Sequence, residues 1–170
     1  TINFPNLPSS GNLGLTYSFT MQVTVEDQDL LPIVGINMEM RNVASPTYVA
    51  TCNDLPLSDG TRTYTSTQTG GGAVTVTATT GPNWGWAYAS DRWGYGYRDP
   101  EGPGRHDFVG GYGYGYMLGY KQGTVSITYS VSWTPPSNWP QGNYNVKVFV
   151  YGDGTKKFSG TSTVFSLTLP

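Results

Sequence analysis

The sequence is poor in charged residues and has no long apolar run. Charged side chains make up 12% of its 170 residues, and the formal net charge is −2. Soluble globular domains usually carry about 25% charged residues. Since no basic face can form from so few Lys and Arg, we expect no nucleic-acid partner. No apolar segment approaches the roughly 20 residues that cross a bilayer as a helix, so we also expect no membrane span.

Cysteine and histidine each occur once, which limits covalent and acid–base chemistry. Cys52 has no partner for an internal disulfide, and its alternation with Tyr48 and Ala50 predicts an inert core position. His106 lies in a loop rich in Gly and Pro, and no nucleophile-elbow motif accompanies it. We therefore expect a protein that is not an enzyme.

The acidic residues are dispersed and match no calcium-loop signature. The sequence therefore predicts no cofactor. One alternative stays open, in which Asp27–Asp29 or Asp99–Glu101 holds a structural calcium with the help of backbone carbonyls.

Two features favour a location outside the cell. The chain begins with Thr1 rather than Met, which is typical of a processed, secreted product, and Thr, Ser, Gly and Tyr take the place of charged surface residues. The sequence contains no Asn-x-Ser/Thr sequon, so no N-linked glycan is expected. We expect an extracellular or cell-surface protein.

Apolar residues alternate with Thr and Ser along most of the chain, and turn-forming residues bound each run. This period of two predicts half-buried strands, and no window sustains a helical period. The alternating runs are Leu15–Val25, Val34–Met40, Val74–Ala78, Val125–Trp133, Tyr144–Val150 and Phe165–Leu169. The prediction is an all-β, immunoglobulin-like or jelly-roll β-sandwich. Residues 13–170 form its single domain, residues 1–12 an extended N-terminal segment, and 81–122 an aromatic, Gly-rich insertion.

The insertion crowds tryptophans, tyrosines and glycines into a contact surface. Glycine at alternate positions fills no volume but lets another backbone, ring or sugar approach closely. Three interpretations stay open: a cover for an open sandwich face, a self-association surface, or a carbohydrate-binding platform. The candidate contact residues are Trp84, Trp86, Trp93, Tyr95, Tyr97, Tyr112, Tyr114 and Tyr116.

A second distinctive segment runs from Trp133 to Tyr144 and reads W-T-P-P…W-P-x-G-x-Y. We expect Trp139-Pro140 to cap one end of the sandwich and Gly142 to turn the chain into the next strand. This pattern resembles immunoglobulin-like modules of secreted bacterial and archaeal surface proteins. The resemblance covers 123–170 well, and it implies a fold rather than a function.

The N-terminal segment is extended, broken by proline, and followed by the flexible stretch Ser9–Asn12. Ile2, Phe4 and Leu7 are candidates to fill pockets at a subunit interface. Such a segment can add a strand to a neighbouring subunit, or it can pair with its own sheet as a first edge strand. In architecture, the chain resembles strand-donating subunits of extracellular filaments.

These observations lead to one leading hypothesis and two alternatives. The first is a structural subunit that assembles with itself into a surface filament or array through a donated strand. The second is a carbohydrate-binding or adhesive module that uses the Trp/Tyr platform to bind extracellular glycans. The third is an accessory domain of a large surface enzyme.

Overall fold

The computed structural model of the chain describes residues 1–25, 33–65, 70–81, 86–98, 107–118, 125–152 and 157–170, with backbone pairing alone at 86–98 and 107–118. These residues contain strands and no helix, so they hold no helix that could cross a membrane. The strands are β1 (Ile2–Asn3), β2 (Ser10–Asn12), β3 (Tyr17–Val25), β4 (Ile33–Asn42), β5 (Val49–Cys52), β6 (Gly60–Tyr64), β7 (Val74–Thr80), β8 (Trp86–Arg98), β9 (Asp107–Leu118), β10 (Val125–Trp133), β11 (Gly142–Gly152), β12 (Lys157–Thr161) and β13 (Phe165–Thr168).

The strands form two sheets that pack face to face, as the alternating sequence predicts. Sheet A has the order β1-β3-β10-β7-β6. Sheet B has the order β2-β13-β11-β4-β5, with β12 also paired to β11. Strands β8 and β9 pair only with each other in the described ladders, as a separate hairpin inside the predicted insertion. The predicted all-β sandwich is therefore confirmed.

The strand order is of the immunoglobulin type rather than the jelly-roll alternative. Strands β3, β10 and β7 neighbour one another in sheet A, while β4, β11 and β13 do so in sheet B. The first part of the chain is shared between the sheets, because β1 pairs antiparallel with β3 and β2 pairs parallel with β13. This division into an ABED-like and a CFG-like sheet is the immunoglobulin arrangement.

The core follows the predicted alternation, because every second side chain of a sandwich strand faces the opposite sheet. Its largest fully buried side chains are Trp133, Tyr129, Tyr144, Phe165, Leu13, Met21, Ile33, Ile36, Met38, Met40 and Ile127. Two predicted members are not core residues. Leu15 precedes the first residue of β3 and is 52% exposed, and Leu169 follows the last residue of β13 and is 54% exposed. The alternation in sequence continues past the points where hydrogen bonding stops.

The Trp-Pro segment caps one end of the sandwich as predicted. The Trp139 ring stacks on Tyr144, with 6.3 Å between centroids and 4° between planes, and it meets Trp133 edge-on. The Tyr144 hydroxyl donates a hydrogen bond of 2.6 Å to the Pro140 carbonyl. A tyrosine at the start of this strand, bonded to the backbone a few residues upstream, is the tyrosine corner of immunoglobulin-type sandwiches. Gly142 turns the chain there with φ +144°, which favours glycine.

Candidate self-association edge and aromatic surfaces

The N-terminal segment lies along the outer edge of β3 in its own chain. Ile2 is paired with Val23 and Asn3 with Gln22, and the Thr24 amide donates to the Thr1 carbonyl at 2.8 Å. The ladder proper therefore covers only two residue pairs. Of the two arrangements that the sequence allows, the structure shows the segment as the first edge strand of its own sheet.

Ile2 closes the seam between the two sheets at this edge. Its side chain lies against Gly160 of β12, so that a Cβ added at Gly160 would stand 2.9 Å from the Ile2 Cβ. Glycine is needed at this position because β12 belongs to sheet B and β1 to sheet A, and they approach each other closely here. Ile2 thus contacts both sheets at once, and it is packed against the buried core.

Beyond β1, side-chain contacts replace the backbone ladder along β3. The Phe4 ring lies 6.4 Å from the Phe19 ring at a 50° tilt. The Asn6 side-chain oxygen accepts a 2.7 Å hydrogen bond from the Thr20 amide. This contact occupies a β3 donor that the short β1 does not reach. An exposed row of unpaired amides on an edge strand is a template for another chain, so the segment protects this edge.

Tyr17 holds the C-terminal end of the segment, at Pro8. The Tyr17 hydroxyl donates to the Pro8 carbonyl at 2.5 Å, just before β2 begins. Burial raises the pKa of Tyr17 well above its usual range, so the hydroxyl keeps its proton and remains a donor at neutral pH. Leu7 is partly buried against the core between Phe4 and this bond. The predicted residues Ile2, Phe4 and Leu7 thus all pack against the core from one segment. We call the site that receives this segment, formed along β3 and at Gly160 of β12, the seat.

The described part of the aromatic insertion forms a hairpin whose backbone register pairs aromatic residues of β8 with aromatic residues of β9. Tyr88 is paired with Tyr116, and Trp93 with Tyr112. The register shifts between Ala89 and Arg92, where three steps along β8 match two along β9, and again from Tyr95 to Arg98. Directly opposite residues of an antiparallel pair share a face of the sheet. The first shift is a one-residue bulge, which brings the even-numbered and odd-numbered aromatic positions of β8 onto the same face.

The other predicted contact residues of the insertion are placed in the same strands. Trp86 is paired with Leu118, and Tyr97 and Tyr95 lie in the shifted part of the ladder, while Tyr114 lies in β9. Trp84, His106 and the two candidate calcium segments, Asp27–Asp29 and Asp99–Glu101, lie outside the described residues. Within the described part of the chain, no group of three or more His, Cys, Asp or Glu side chains could hold a metal ion.

Cys52 occupies the core position that its alternation predicts. It is fully buried on β5, and burial raises the pKa of its thiol to about 12, with Arg62 opposing the shift. Only the thiolate is a strong nucleophile or metal ligand, so the protonated Cys52 acts as a small apolar core residue at neutral pH.

A second aromatic surface, not predicted from the sequence, lies on the outer face of sheet B. Phe149 and Tyr151 alternate with the buried Val148 and Val150 of β11, so their rings lie on the solvent side of the sheet. The rings are 6.4 Å apart and 19° from parallel. The signal was present in the sequence: once Tyr144 begins the inward set, the odd-numbered residues of β11 must face outward.

No protein-family model and no curated protein matches the chain. Several solved structures show distant likeness to it, among them two enzymes and a fimbrial subunit. One is a family 123 glycoside hydrolase from Clostridium perfringens (12% identity, TM-score 0.39), and the chain spans 95% of its own length but only 22% of that enzyme. Another is AvmM, which catalyses macrocyclization in alchivemycin A biosynthesis (10% identity, TM-score 0.41, 100% of this chain and 89% of that one).

The third structure is AggA, the major subunit of aggregative adherence fimbriae type I from Escherichia coli. It is 13% identical, with a TM-score of 0.26 over 100% of this chain and 93% of that one. The chain therefore has a weak structural likeness to a fimbrial subunit as well as to two enzymes. At these scores, none of the three carries a functional argument.

Proposed function

We propose that this chain is a non-enzymatic, extracellular structural subunit that assembles with itself by exchanging its N-terminal strand. In the assembled form, residues 1–8 leave their own sheet and pair with β3 of the next subunit. Residues of a second copy then fill the seat that Ile2, Phe4 and Leu7 fill within the chain. The observation that carries the proposal is the seat on β3 and β12. It fits the N-terminal segment closely, and few backbone hydrogen bonds join the segment to it.

The closed arrangement supports exchange because each contact can be reproduced between subunits. Ile2 against Gly160, Phe4 against Phe19 and Thr24 to Thr1 all join the segment to the body of the sandwich. Swapping an identical element between copies keeps these contacts and changes only the connection, so it is a low-cost route to assembly. The connection that would have to open lies at Ser9, between the exchanged residues 1–8 and β2, which stays paired with β13.

One end of the sandwich offers a further contact surface, which we call the apolar end. It carries four exposed apolar side chains: Leu15 (52% exposed), Val43 (45%), Tyr48 (41%) and Leu169 (54%). The Val43 amide donates to the Asn143 carbonyl and the Leu169 amide to the Gln141 side-chain oxygen, so both lie near the Trp139 corner. The Tyr48 ring lies 5.8 Å from the Trp139 ring, and the amide of Gly14, next to Leu15, donates to the Pro135 carbonyl. Single exposed apolar residues are ordinary on monomers, but a concentration at one end is typical of a contact surface.

The proposal is tested by deleting residues 1–8 and viewing both chains by negative-stain electron microscopy. We expect polymers from the full chain. The truncated chain should be a folded monomer, because the sandwich core lies outside the deleted residues. Polymers from the truncated chain would overturn strand exchange.

A synthetic peptide of residues 1–8 provides the complementary test. We expect it to bind the truncated chain and raise its melting temperature, because the vacated seat accepts the segment from another molecule. A peptide with Ile2→Asp and Phe4→Ser is the matched control and should do neither. If the natural peptide fails to bind, the seat does not accept a donated strand. Leu169→Ser in the full chain tests the apolar end, and we expect it to weaken assembly while the fold persists.

A carbohydrate-binding module is the second candidate, favoured by the paired aromatic positions of the β8–β9 hairpin. Planar rings on one face can stack on the apolar faces of sugars. This function predicts saturable quenching of tryptophan fluorescence by a glycan, and its loss in Trp86→Ala or Trp93→Ala with the fold intact. No response across a broad polysaccharide panel would exclude it.

A further inference from the structure

Aromatic and cationic side chains lie together on the outer face of sheet B, and the proposed strand exchange does not involve them. Phe149 and Tyr151 stand in line on β11, nearly parallel, on the solvent side of the sheet. Beside them is a cavity of about 360 Å³ lined by Phe149, Tyr151, Lys157, Phe158 and Ser159. Small-molecule sites are concavities of about 300–1,000 Å³ with apolar walls and a few polar groups. This cavity has a volume in that range, aromatic walls, and polar groups from Lys157 and Ser159.

Two ammonium groups flank the rings. Lys147 lies on the same face of β11, with its Nζ 5.2 Å from the centroid of Phe149. On the neighbouring strand, Lys157 is directly opposite Tyr151 and Ser159 is directly opposite Phe149. The described lining of the cavity thus contains a cation and a hydroxyl, and no carboxylate.

Among the described residues, two carboxylates lie on the β4 side of this face. Glu39, directly opposite Lys147 on β4, forms an ion pair with Arg41. Asp54 lies beside Gly35, on the side of the rings away from β12. The described charges are therefore two lysines beside the rings, and one arginine with two carboxylates toward β4 and β5.

Gly35 on β4 places no side chain beside the Tyr151 ring. It is directly opposite Tyr151, and among the described residues the atom nearest to an added Cβ is the Asp54 Oδ1, at 3.9 Å. A larger residue would stand against the ring at this point. On the β12 side, Lys157 and Ser159 are the residues directly opposite the rings.

We propose that this face binds an acidic polysaccharide, a chain of sugars that carry carboxylates. The rings of Phe149 and Tyr151 would stack on the apolar faces of sugar units, since an aromatic ring offers a large apolar area and a negative face that attracts C–H groups. Lys157 and Lys147 would pair with the carboxylates, and Ser159 would hydrogen-bond a sugar hydroxyl. The charge distribution selects an acidic chain over a neutral one, because a neutral sugar leaves both ammonium groups unpaired.

The test is isothermal titration calorimetry of the full chain with polygalacturonate and with the same polymer fully methyl-esterified, which has identical sugars and no charge. We expect saturable binding of the acid form and at least tenfold weaker binding of the ester. Alginate and hyaluronate extend the probe set to other uronate chains. Binding should weaken as salt is raised, because exposed ion pairs are screened. If none of the acidic chains binds, the proposal is wrong.

Variants on this face separate the site from the hairpin platform. Tyr151→Ala and Phe149→Ala should each weaken binding about two- to tenfold, the range that one aromatic stacking contact supplies. Lys157→Gln should reduce the difference between acid and ester, and Tyr48→Ala, at the apolar end, is the matched control and should change nothing. If Trp86→Ala abolishes binding while Tyr151→Ala leaves it intact, the glycan is held by the hairpin and this proposal is overturned.

A second copy of the chain is the other occupant that this face could take. If Tyr151→Ala and Phe149→Ala suppress assembly without changing any polysaccharide titration, the face is a subunit contact and the proposal is overturned. Loss of glycan binding with normal polymers would support it. None of residues 1–8 lines the cavity, but Ile2 contacts Gly160 of β12, so the two proposals are separated with Tyr151→Ala and Phe149→Ala in the full chain, which leave the N-terminal segment unchanged.

Discussion

The side chain of Ile2 lies directly against the backbone of Gly160, and this contact joins the two sheets at the edge where the N-terminal segment is seated. A Cβ built at Gly160 would stand 2.9 Å from the Ile2 Cβ and 3.0 Å from its Cδ1. Both distances are shorter than the ordinary van der Waals separation of about 3.5–4.0 Å between carbon atoms. The contact therefore links the stability of the monomer to the proposed exchange of strands, because any subunit that accepts the segment must have the same gap.

Gly160→Ala should destabilise the seated segment. The added methyl group forces Ile2 to shift, and overpacking of this kind costs about 1–3 kcal/mol, partly offset by the gain of replacing glycine in a strand. We expect a lower midpoint in urea denaturation and weaker assembly. The double variant Ile2→Ala/Gly160→Ala is the control, and it should lose less than the sum of the two single changes. Additive effects would show that the two residues do not interact.

A disulfide between Asn3→Cys and Gln22→Cys should report which molecule supplies the strand. These positions are directly opposite in the antiparallel ladder, a relationship that brings Cα atoms within about 4.5–5.5 Å and suits a disulfide. If strands are exchanged, polymers of this variant should run as a ladder of covalent multimers on a non-reducing gel. In dilute solution, where the strand stays in its own chain, the variant should form monomers with an internal disulfide. Cys52 can stay in place, because burial raises the pKa of its thiol to about 12 and protects it from oxidation. Cross-linked monomers alone, recovered from intact polymers, would contradict exchange.

Stability should fall as pH rises above about 10, the usual pKa of an exposed tyrosine. Burial raises the pKa of Tyr64 to about 12, and it also raises the pKa of Tyr129, whose hydroxyl donates to the Pro56 carbonyl at 2.7 Å. The folded state then holds these protons more tightly than the unfolded state. Their contribution is complete below pH 10 and is lost as pH rises toward and past the folded pKa values.

Urea denaturation between pH 8 and 12 measures this effect. Tyr129→Phe should lower the free energy of unfolding at pH 8 by about 1 kcal/mol, the usual net value of a hydrogen bond, and should flatten the decline above pH 10. Tyr48→Phe is the matched control, because its ring lies at the surface and not in the core. A decline of equal slope in Tyr129→Phe and the parent chain would show that other groups cause it.

Most strands could be predicted from the sequence because a half-buried strand must alternate. The buried positions of β10 from Ile127 to Trp133, and those of β11 from Tyr144 to Val150, match the predicted runs. The ends could not be predicted in this way. Leu15 and Leu169 continue the alternation but lie outside the ladder, since strand ends depend on where the neighbouring strand stops, and that neighbour is distant in sequence.

The candidate sites were harder to predict, for a different reason. The sequence indicated that Ile2, Phe4 and Leu7 fill pockets, and the structure places all three against the core. It did not indicate Gly160 as the partner of Ile2, because the two residues are far apart in the chain and on different sheets. The outward position of Phe149 and Tyr151 could have been predicted from the alternation of β11, whereas the register that sets Ser159 and Lys157 opposite them depends on the β11–β12 pairing.

The sequence by itself determined the class of fold, the inward and outward sides of most strands, the Trp139–Tyr144 corner and the buried state of Cys52. Each of these depends on local periodicity or on residues close together in the chain. Only the tertiary structure decided that the N-terminal segment lies in its own sheet, that Gly160 contacts Ile2, and that Gly35 of β4 lies opposite Tyr151. These features arise where strands distant in sequence become neighbours, and no local pattern specifies which strands those are.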